Sequence, residues 1–434
     1  TKKEVLEGIL MPSPNEKVII VKLENGYNLG LEKKDILEMK VINKKQETTS
    51  KTENKEAKTK MEDKNKISFN PKLKTITILH CGGTIASKVD YETGAVKAKF
   101  SPEELLEMFP ELGKIANIKS KLIANMLSEN MRFAHYNTIA KEIETENKKK
   151  TDGIIITHGT DTLHYTAAAL SFALENLSIP VILVGAQRSS DRGSSDAFLN
   201  LKCAAQFIAN SDFAEVALCL HADANDEKCS LIPGTRARKM HSSRRDAFKA
   251  INSQSYALID GEGNIEWLKK DFHKTNEKPN GKLILKLFKE NLKVGMLKAH
   301  PNLFAEEFKA YHKFDGLILE GTGLGHFPTE KYDAKTNEHE LIFKEIEKLA
   351  KKIPVAMALQ TIFGVVNMNV YSPGRRLIAA GVLGNELDMT PETAFIKLSW
   401  LLSNYKAKQI AELYGQNLRG ESSSQRIYEK EFLK

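Results

Sequence analysis

The chain has few cysteines and no long apolar run, and each shortage removes a class of protein. Four cysteines in 434 residues, Cys81, Cys203, Cys219 and Cys229, form no CxxC pair. They are too few to staple a chain of this length, so reduced core thiols are expected. Cys219, His221 and Cys229 could gather a metal in principle, but a fourth ligand and the usual short spacing are missing. A strand-end histidine beside two packed thiols is the expectation, with no metal. No apolar stretch approaches the roughly 18 to 20 residues that cross a bilayer, and the first residues carry neither a signal-type apolar core nor a small-residue cleavage site. A cytoplasmic protein without a membrane partner is expected. The formal net charge of +8 is spread over lysine-rich segments rather than one stripe, which permits a nucleic-acid partner without demanding one.

What is present divides the chain. Its length favours two or three domains. Residues 1–42 hold short alternating apolar runs, VLEGILM, KVIIVKL and YNLGL, separated by SPNE and by Asn25-Gly26, a pair suited to a tight hairpin. They predict a small barrel-like β-module. From residue 43 the sequence loses its apolar periodicity in NKKQETTSKTENKEAKTKMEDKNK, and residues 43–72 read as a charged flexible linker, a solvated polar helix being the alternative. Residues 73–282 then alternate apolar strands (TITILHC, GIIIT, PVILVGA, VALCLH) with helices (SPEELLEMF, LHYTAAALSFALEN, DAFLNLKCAAQFIAN). That order predicts an α/β domain whose largely parallel sheet is covered on both faces. Residues 283–434 carry VGMLKAH, FDGLILEG and IPVAMAL as strands and a helix begun by Thr390-Pro391-Glu392, a second, smaller α/β layer facing the first across a cleft.

Chemistry in an open α/β sheet collects beyond the carboxyl ends of its strands. GGTIA, at the end of TITILHC, has two glycines that let the backbone pass close to a ligand and then a hydroxyl, Thr84. The same residues also describe a plain strand-to-loop turn. Tyr91 follows in a Gly-containing stretch from which its phenol would swing over a substrate. THGTDT puts Thr160 and Asp161 at a second strand end, before a helix, although Thr and Asp are also what a helix start prefers. A threonine hydroxyl needs an activating neighbour, and Lys239 in GTRARKMHSSRRDAF offers one if it stands against Thr160 and Asp161. Otherwise it is a solvent-facing lysine among several basic residues. LEGTGLG has three glycines but lacks the GxGxxG spacing of a dinucleotide site and reads as a backbone loop lining the cleft.

GGTIA, HGTDT and TRARK, in that order, resemble the bacterial-type L-asparaginase family of amidohydrolases from about residue 73 to near the C-terminus. The resemblance implies an asparaginase-like pair of α/β domains, a large doubly wound mixed sheet and a smaller flavodoxin-like domain, and amide hydrolysis through an acyl-threonine. It makes Thr84 the primary nucleophile and Thr160, Asp161 and Lys239 the second catalytic cluster, with Asp161 also holding the substrate's α-amino group. Tyr91 takes the place of a flap tyrosine, and the LSEN segment looks like a substrate anchor, Ser128 for the α-carboxylate and Glu129 for the ammonium.

The module and tether ahead of that domain, with GILMPS and LENGYNLGL, resemble the D subunits of archaeal glutamyl-tRNA(Gln) amidotransferases. That likeness implies a glutaminase subunit without a cofactor of its own, which supplies ammonia to a GatE-like E subunit. The partner would use ATP and Mg2+ to convert Glu-tRNA(Gln) to Gln-tRNA(Gln) and would make most of the contact with tRNA(Gln). A heterodimer or heterotetramer is implied, with homodimerisation through the asparaginase-like domain. The alternatives are a stand-alone L-asparaginase whose module serves oligomerisation, and an inactive scaffold that binds RNA or protein.

Overall fold

Strands that are apolar on both faces must lie inside a sheet covered on both sides, and the computed structural model of the chain is built that way. It describes residues 5–11, 17–23, 28–40, 69–83, 87–89, 96–98, 109–188, 195–275 and 282–424. The expected linker through residue 68, the SPNE and Asn25-Gly26 turns and all but the end of the SPEELLEMF helix lie outside these residues. The N-terminal module is an antiparallel meander of β1 (Gly8–Met11), β2 (Val18–Leu23) and β3 (Asn28–Glu32).

The large domain runs β4 (Thr75–His80), β5 (Asn117–Leu122), α1 (Phe133–Lys148), β6 (Gly153–Thr157), α2 (Leu163–Ala173), β7 (Val181–Val184), α3 (Ala197–Asn210) and β8 (Val216–His221). These strands pair in parallel in the order β5-β4-β6-β7-β8. Alternation sorts their side chains: Ile76, Ile78, Ile155 and Ile182 pack on the α3 side, and Leu79, Ile154, Ile156 and Leu183 on the side of α1 and α2. The order reverses direction between β4 and β6, so their carboxyl ends flank the crevice where such sheets bind ligands.

The remaining strands depart from the largely parallel sheet that the sequence pattern predicts. β9 (Lys228–Pro233) leaves β8 antiparallel, and β12 (Ala257–Asp260) and β13 (Ile265–Trp267) continue that half of the eight-stranded sheet. Between β9 and β12 the chain leaves the sheet as a separate hairpin of β10 (Ala237–Lys239) and β11 (Phe248–Ala250). The α2 helix also ends sooner than its composition suggests. After Ala173 the chain extends, and Leu174–Glu175 pairs with Ile284–Leu285.

In the small domain β14 (Val294–Lys298), β15 (Gly316–Gly321) and β16 (Val355–Leu359) form a parallel sheet, with α4 (Asn337–Ala350), α5 (Ser372–Ala379), α6 (Pro391–Asn404) and α7 (Ala407–Gly415). Helix α6 starts as its sequence promises: the Thr390 side chain accepts from the Thr393 amide and Pro391 opens the first turn. It packs between the small sheet and α2 of the large domain, where Trp400 meets Phe172 at 5.3 Å, both rings fully buried. The two domains therefore share one core, and truncating either ring costs about 3–5 kcal/mol. No helix among the described residues is long and apolar enough to cross a membrane.

Candidate active site

After β4 the backbone turns through Gly82 and Gly83, both in the left-handed region (φ +100° and +87°). Space as well as conformation excludes a side chain here. A Cβ on Gly82 would overlap the Met126 backbone, and one on Gly83 would stand 2.7 Å from the Gly159 nitrogen and the His158 carbonyl carbon. The glycines thus press the end of β4 against the loop that carries Ser128 and against the end of β6. Thr84 follows Gly83 directly; Thr84 and Tyr91 lie outside the described residues.

At the end of β6 the predicted cluster comes together. The Lys239 Nζ donates to Thr160 Oγ1 at 2.9 Å and to the Asp161 carboxylate at 2.8 Å, across 79 and 78 positions of sequence. The lysine is largely buried and Asp161 is open to solvent, with side-chain exposures of 11% and 67%. Gly185, just past β7, makes room for Thr160: a Cβ there would lie 2.9 Å from the threonine methyl. Thr162 stands at the N-cap of α2, as a helix start would have it, but makes no side-chain cap. Its hydroxyl instead donates to the Ser128 carbonyl (2.6 Å) and its amide to Ser128 Oγ (3.3 Å). Ser128 is therefore buried against the cluster, whereas Glu129 is exposed.

His158 received no role from the sequence, yet it is fully buried under the turn. Its Nδ1 lies 2.7 Å from the Gly159 carbonyl oxygen, which can only accept, so Nδ1 carries the proton and Nε2 accepts from the Thr166 hydroxyl at 2.9 Å. Burial pushes its pKa down to about 4, so the ring is neutral. A trans peptide points its C=O and N–H in opposite directions. Gripping the Gly159 carbonyl therefore turns the Thr160 N–H away from the imidazole.

Lys239 arrives from β10 with two arginines beside it, Arg236, which is 2% exposed, and Arg238, whose Nη2 stands 3.4 Å from Glu392. His164 sits next to them, pushed down to about 3 by burial and by the positive charge of Arg238 and Lys239. Away from this cluster, His221 is held by Asn200 (2.7 Å) and Asp226 (3.0 Å) and the four thiols are free and buried. Among the described residues no group of His, Cys, Asp and Glu is arranged to hold a metal. LEGTGLG closes a tight turn in which the amides of Gly325 and His326 both return to the Thr322 carbonyl.

Comparison with known proteins bears on all three regions. Residues 75–272 match the asparaginase N-terminal domain, 293–414 the glutaminase/asparaginase C-terminal domain and 1–42 the GatD N-terminal domain. The D subunit of the glutamyl-tRNA(Gln) amidotransferase of Pyrococcus furiosus is 44% identical over 411 residues, 93% of this chain and 87% of that one. Its counterpart from Methanococcus maripaludis is 43% identical over 420 residues, 95% of this chain and 94% of that one. The chain belongs to the family of glutamyl-tRNA(Gln) amidotransferase D subunits. Among solved structures, the thermostable L-asparaginase from Thermococcus kodakarensis superposes with a TM-score of 0.70 at 30% identity, covering 81% of this chain and all of that one. The D-family chain is thus an amidotransferase subunit with amidohydrolase chemistry on an asparaginase-like pair of α/β domains, and as a subunit it has partners.

Sequence reading of this D-family member missed His158, Arg236, Arg238 and Glu392. Only His158 carried a signal: a histidine inside a Gly- and Thr-rich strand end has no surface role to explain it.

Proposed function

We propose that this D-family protein hydrolyses glutamine through an acyl-threonine and passes the ammonia to an E-type partner. Thr84 Oγ attacks the side-chain amide carbon, and its proton moves to the Thr160–Lys239–Asp161 cluster. The Thr160 N–H stabilises the oxyanion, and the cluster returns the proton as the carbon–nitrogen bond breaks and ammonia leaves. Water then cleaves the ester, releasing glutamate and restoring the threonine. Asp161 and Glu129, both exposed, would take the substrate's α-ammonium, Ser128 its α-carboxylate, and Tyr91 would cover it. The partner would activate Glu-tRNA(Gln) with ATP and Mg2+ and make most of the tRNA contact, so this chain needs no cofactor. Residues 1–42, 43–72, 73–282 and 283–434 would be the module, linker, large domain and small domain of a cytoplasmic assembly.

The observation that carries this reading is the contact of Lys239 with both Thr160 and Asp161 beside the Gly82–Gly83 turn that leads to Thr84. In the assembled complex, Thr84→Ala and Lys239→Ala should each lower glutamine-dependent amidation by about 1,000-fold or more. Amidation driven by ammonium should be untouched. Survival of glutamine use in either variant would sink the assignment.

A further inference from the structure

Lys239 stands on β10, which is outside the large sheet and hydrogen-bonds only to β11 as a strand. Ala237 and Phe248 pack it into the core beside α2, and its polar anchors reach to the small domain and the end of the chain. The buried Thr235 accepts from the Thr393 hydroxyl at its carbonyl (2.9 Å) and donates its own hydroxyl to the Arg419 carbonyl (3.1 Å). Arg236 directs its whole guanidinium the same way: Nε to the Gly420 carbonyl (2.8 Å), Nη1 to the Asp388 carboxylate (3.0 Å) and Nη2 to Ser423 Oγ (2.8 Å). Asp388 is held in turn by the Ser423 amide at 3.0 Å. The 417–424 segment is itself pinned by Glu421, which takes the Leu418 and Arg419 amides and pairs with Lys397 at 2.6 Å, both side chains fully buried.

We propose that Arg236 is a positioning residue for amide hydrolysis, through which Asp388 and the 417–424 segment set where Lys239 stands beside Thr160 and Asp161. This rests on the reading of Lys239 as part of the hydrolytic cluster. A lysine stem is long and flexible, so its nitrogen is located by its two partners and by the anchor of its own backbone. Arg236 lies three residues away, about 10 Å of extended chain. At that lever arm a tilt of roughly 6° moves the lysine by about 1 Å, a displacement that costs on the order of 100-fold in rate. Arg236 touches neither Thr160 nor Asp161, so its effect is on placement alone.

The test uses the assembled amidotransferase with Arg236→Gln and the milder Ser423→Ala. We expect kcat for glutamine hydrolysis to fall about 30- to 100-fold in Arg236→Gln and about 3- to 10-fold in Ser423→Ala, with KM for glutamine within about two-fold. Ammonium-driven amidation, the partner's reaction, should keep its wild-type rate, and a wild-type circular dichroism spectrum of the variant chain at the assay temperature separates misplacement from a general loss of structure. A kcat within two-fold of wild type in folded Arg236→Gln overturns the proposal, as does a loss carried by KM alone. If Arg236→Gln does not fold, Ser423→Ala decides by the same two criteria. Should Lys239→Ala itself spare hydrolysis, the reading of the site fails; if only the Arg236 and Ser423 variants are silent, this inference fails alone.

Discussion

The two halves of the large sheet deliver their functional groups by different means. In the parallel half, β4 and β6 end side by side, and the groups beyond them are placed by the sheet itself through the glycine contacts at Gly82, Gly83 and Gly185 and by the neutral ring of His158. In the antiparallel half the sheet delivers nothing directly. The chain leaves it after β9, and the hairpin that bears Lys239 packs beside α2 through Ala237 and Phe248 and is tied to another domain by ionic contacts, Arg236 with Asp388 and, behind them, Lys397 with Glu421. One side of the crevice is thus rigid by close backbone packing, while the other depends on how the domains and the chain end are seated.

The strongest way to break that contrast is to loosen the rigid half. Gly83→Ala adds a methyl group 2.7 Å from the His158–Gly159 backbone just past β6, at a φ of +87°, so both strain and overlap push the ends of β4 and β6 apart. A shift approaching 1 Å should cost about 100-fold in kcat for glutamine hydrolysis, and the strained φ about 1–3 kcal/mol of stability. Kinetics of the complex together with a denaturant midpoint for the isolated chain check both. Retention of near-wild-type kcat would mean that the turn does not set the distance across the switch point.

The same contrast explains what the sequence disclosed. TITILHC, GIIIT, PVILVGA and VALCLH are legible because every side chain in β4, β6, β7 and β8 is buried or nearly so, leaving a continuous apolar run. Thr160, Asp161 and Lys239 are legible through their motifs, and the expectation that they meet holds in the structure. Edge strand β5 hides because NIKSKL is half exposed and reads as a loop. Strands β10, β11 and β13 are three residues each, too short for a period to show. Arg236 in TRARK reads as one more surface cation, and only partners 152 to 187 positions away turn it into a buried anchor. Distance in sequence, rather than weak chemistry, conceals it.

A middle-sized effect separates the halves by pH. The unfolded His158 ring takes up a proton as pH falls through its ordinary 6.5, whereas the native ring stays neutral until about 4. The native state therefore loses stability on acidification across that window and no further from this group below it. Between pH 7.5 and pH 5 the loss should be about 2 kcal/mol from His158. Replacing it by Gln, which cannot be charged, should flatten the pH slope of the urea midpoint by about that amount. An unchanged slope would show that the ring is protonated or solvated in the native state.

The smallest expected effect compares the two arginines that flank Ala237. Arg236 has every nitrogen bonded, while among the described residues Arg238 Nη1, Glu392 Oε2 and neighbouring His164 Nδ1 find no partner. A buried pair that satisfies only part of its hydrogen-bonding capacity contributes little beyond its desolvation cost, and apolar replacements of similar size are often neutral. Arg238→Met combined with Glu392→Leu should therefore change unfolding free energy by less than about 1 kcal/mol, whereas breaking the Arg236–Asp388 pair by Asp388→Leu should cost about 3–5 kcal/mol because it strands a buried guanidinium. Denaturant titrations of the two variants read the difference directly. If the Arg238 double variant proves as damaging as Asp388→Leu, then the Arg238–Glu392 contact also anchors β10, and the hold on Lys239 is shared between two arginines rather than concentrated in one.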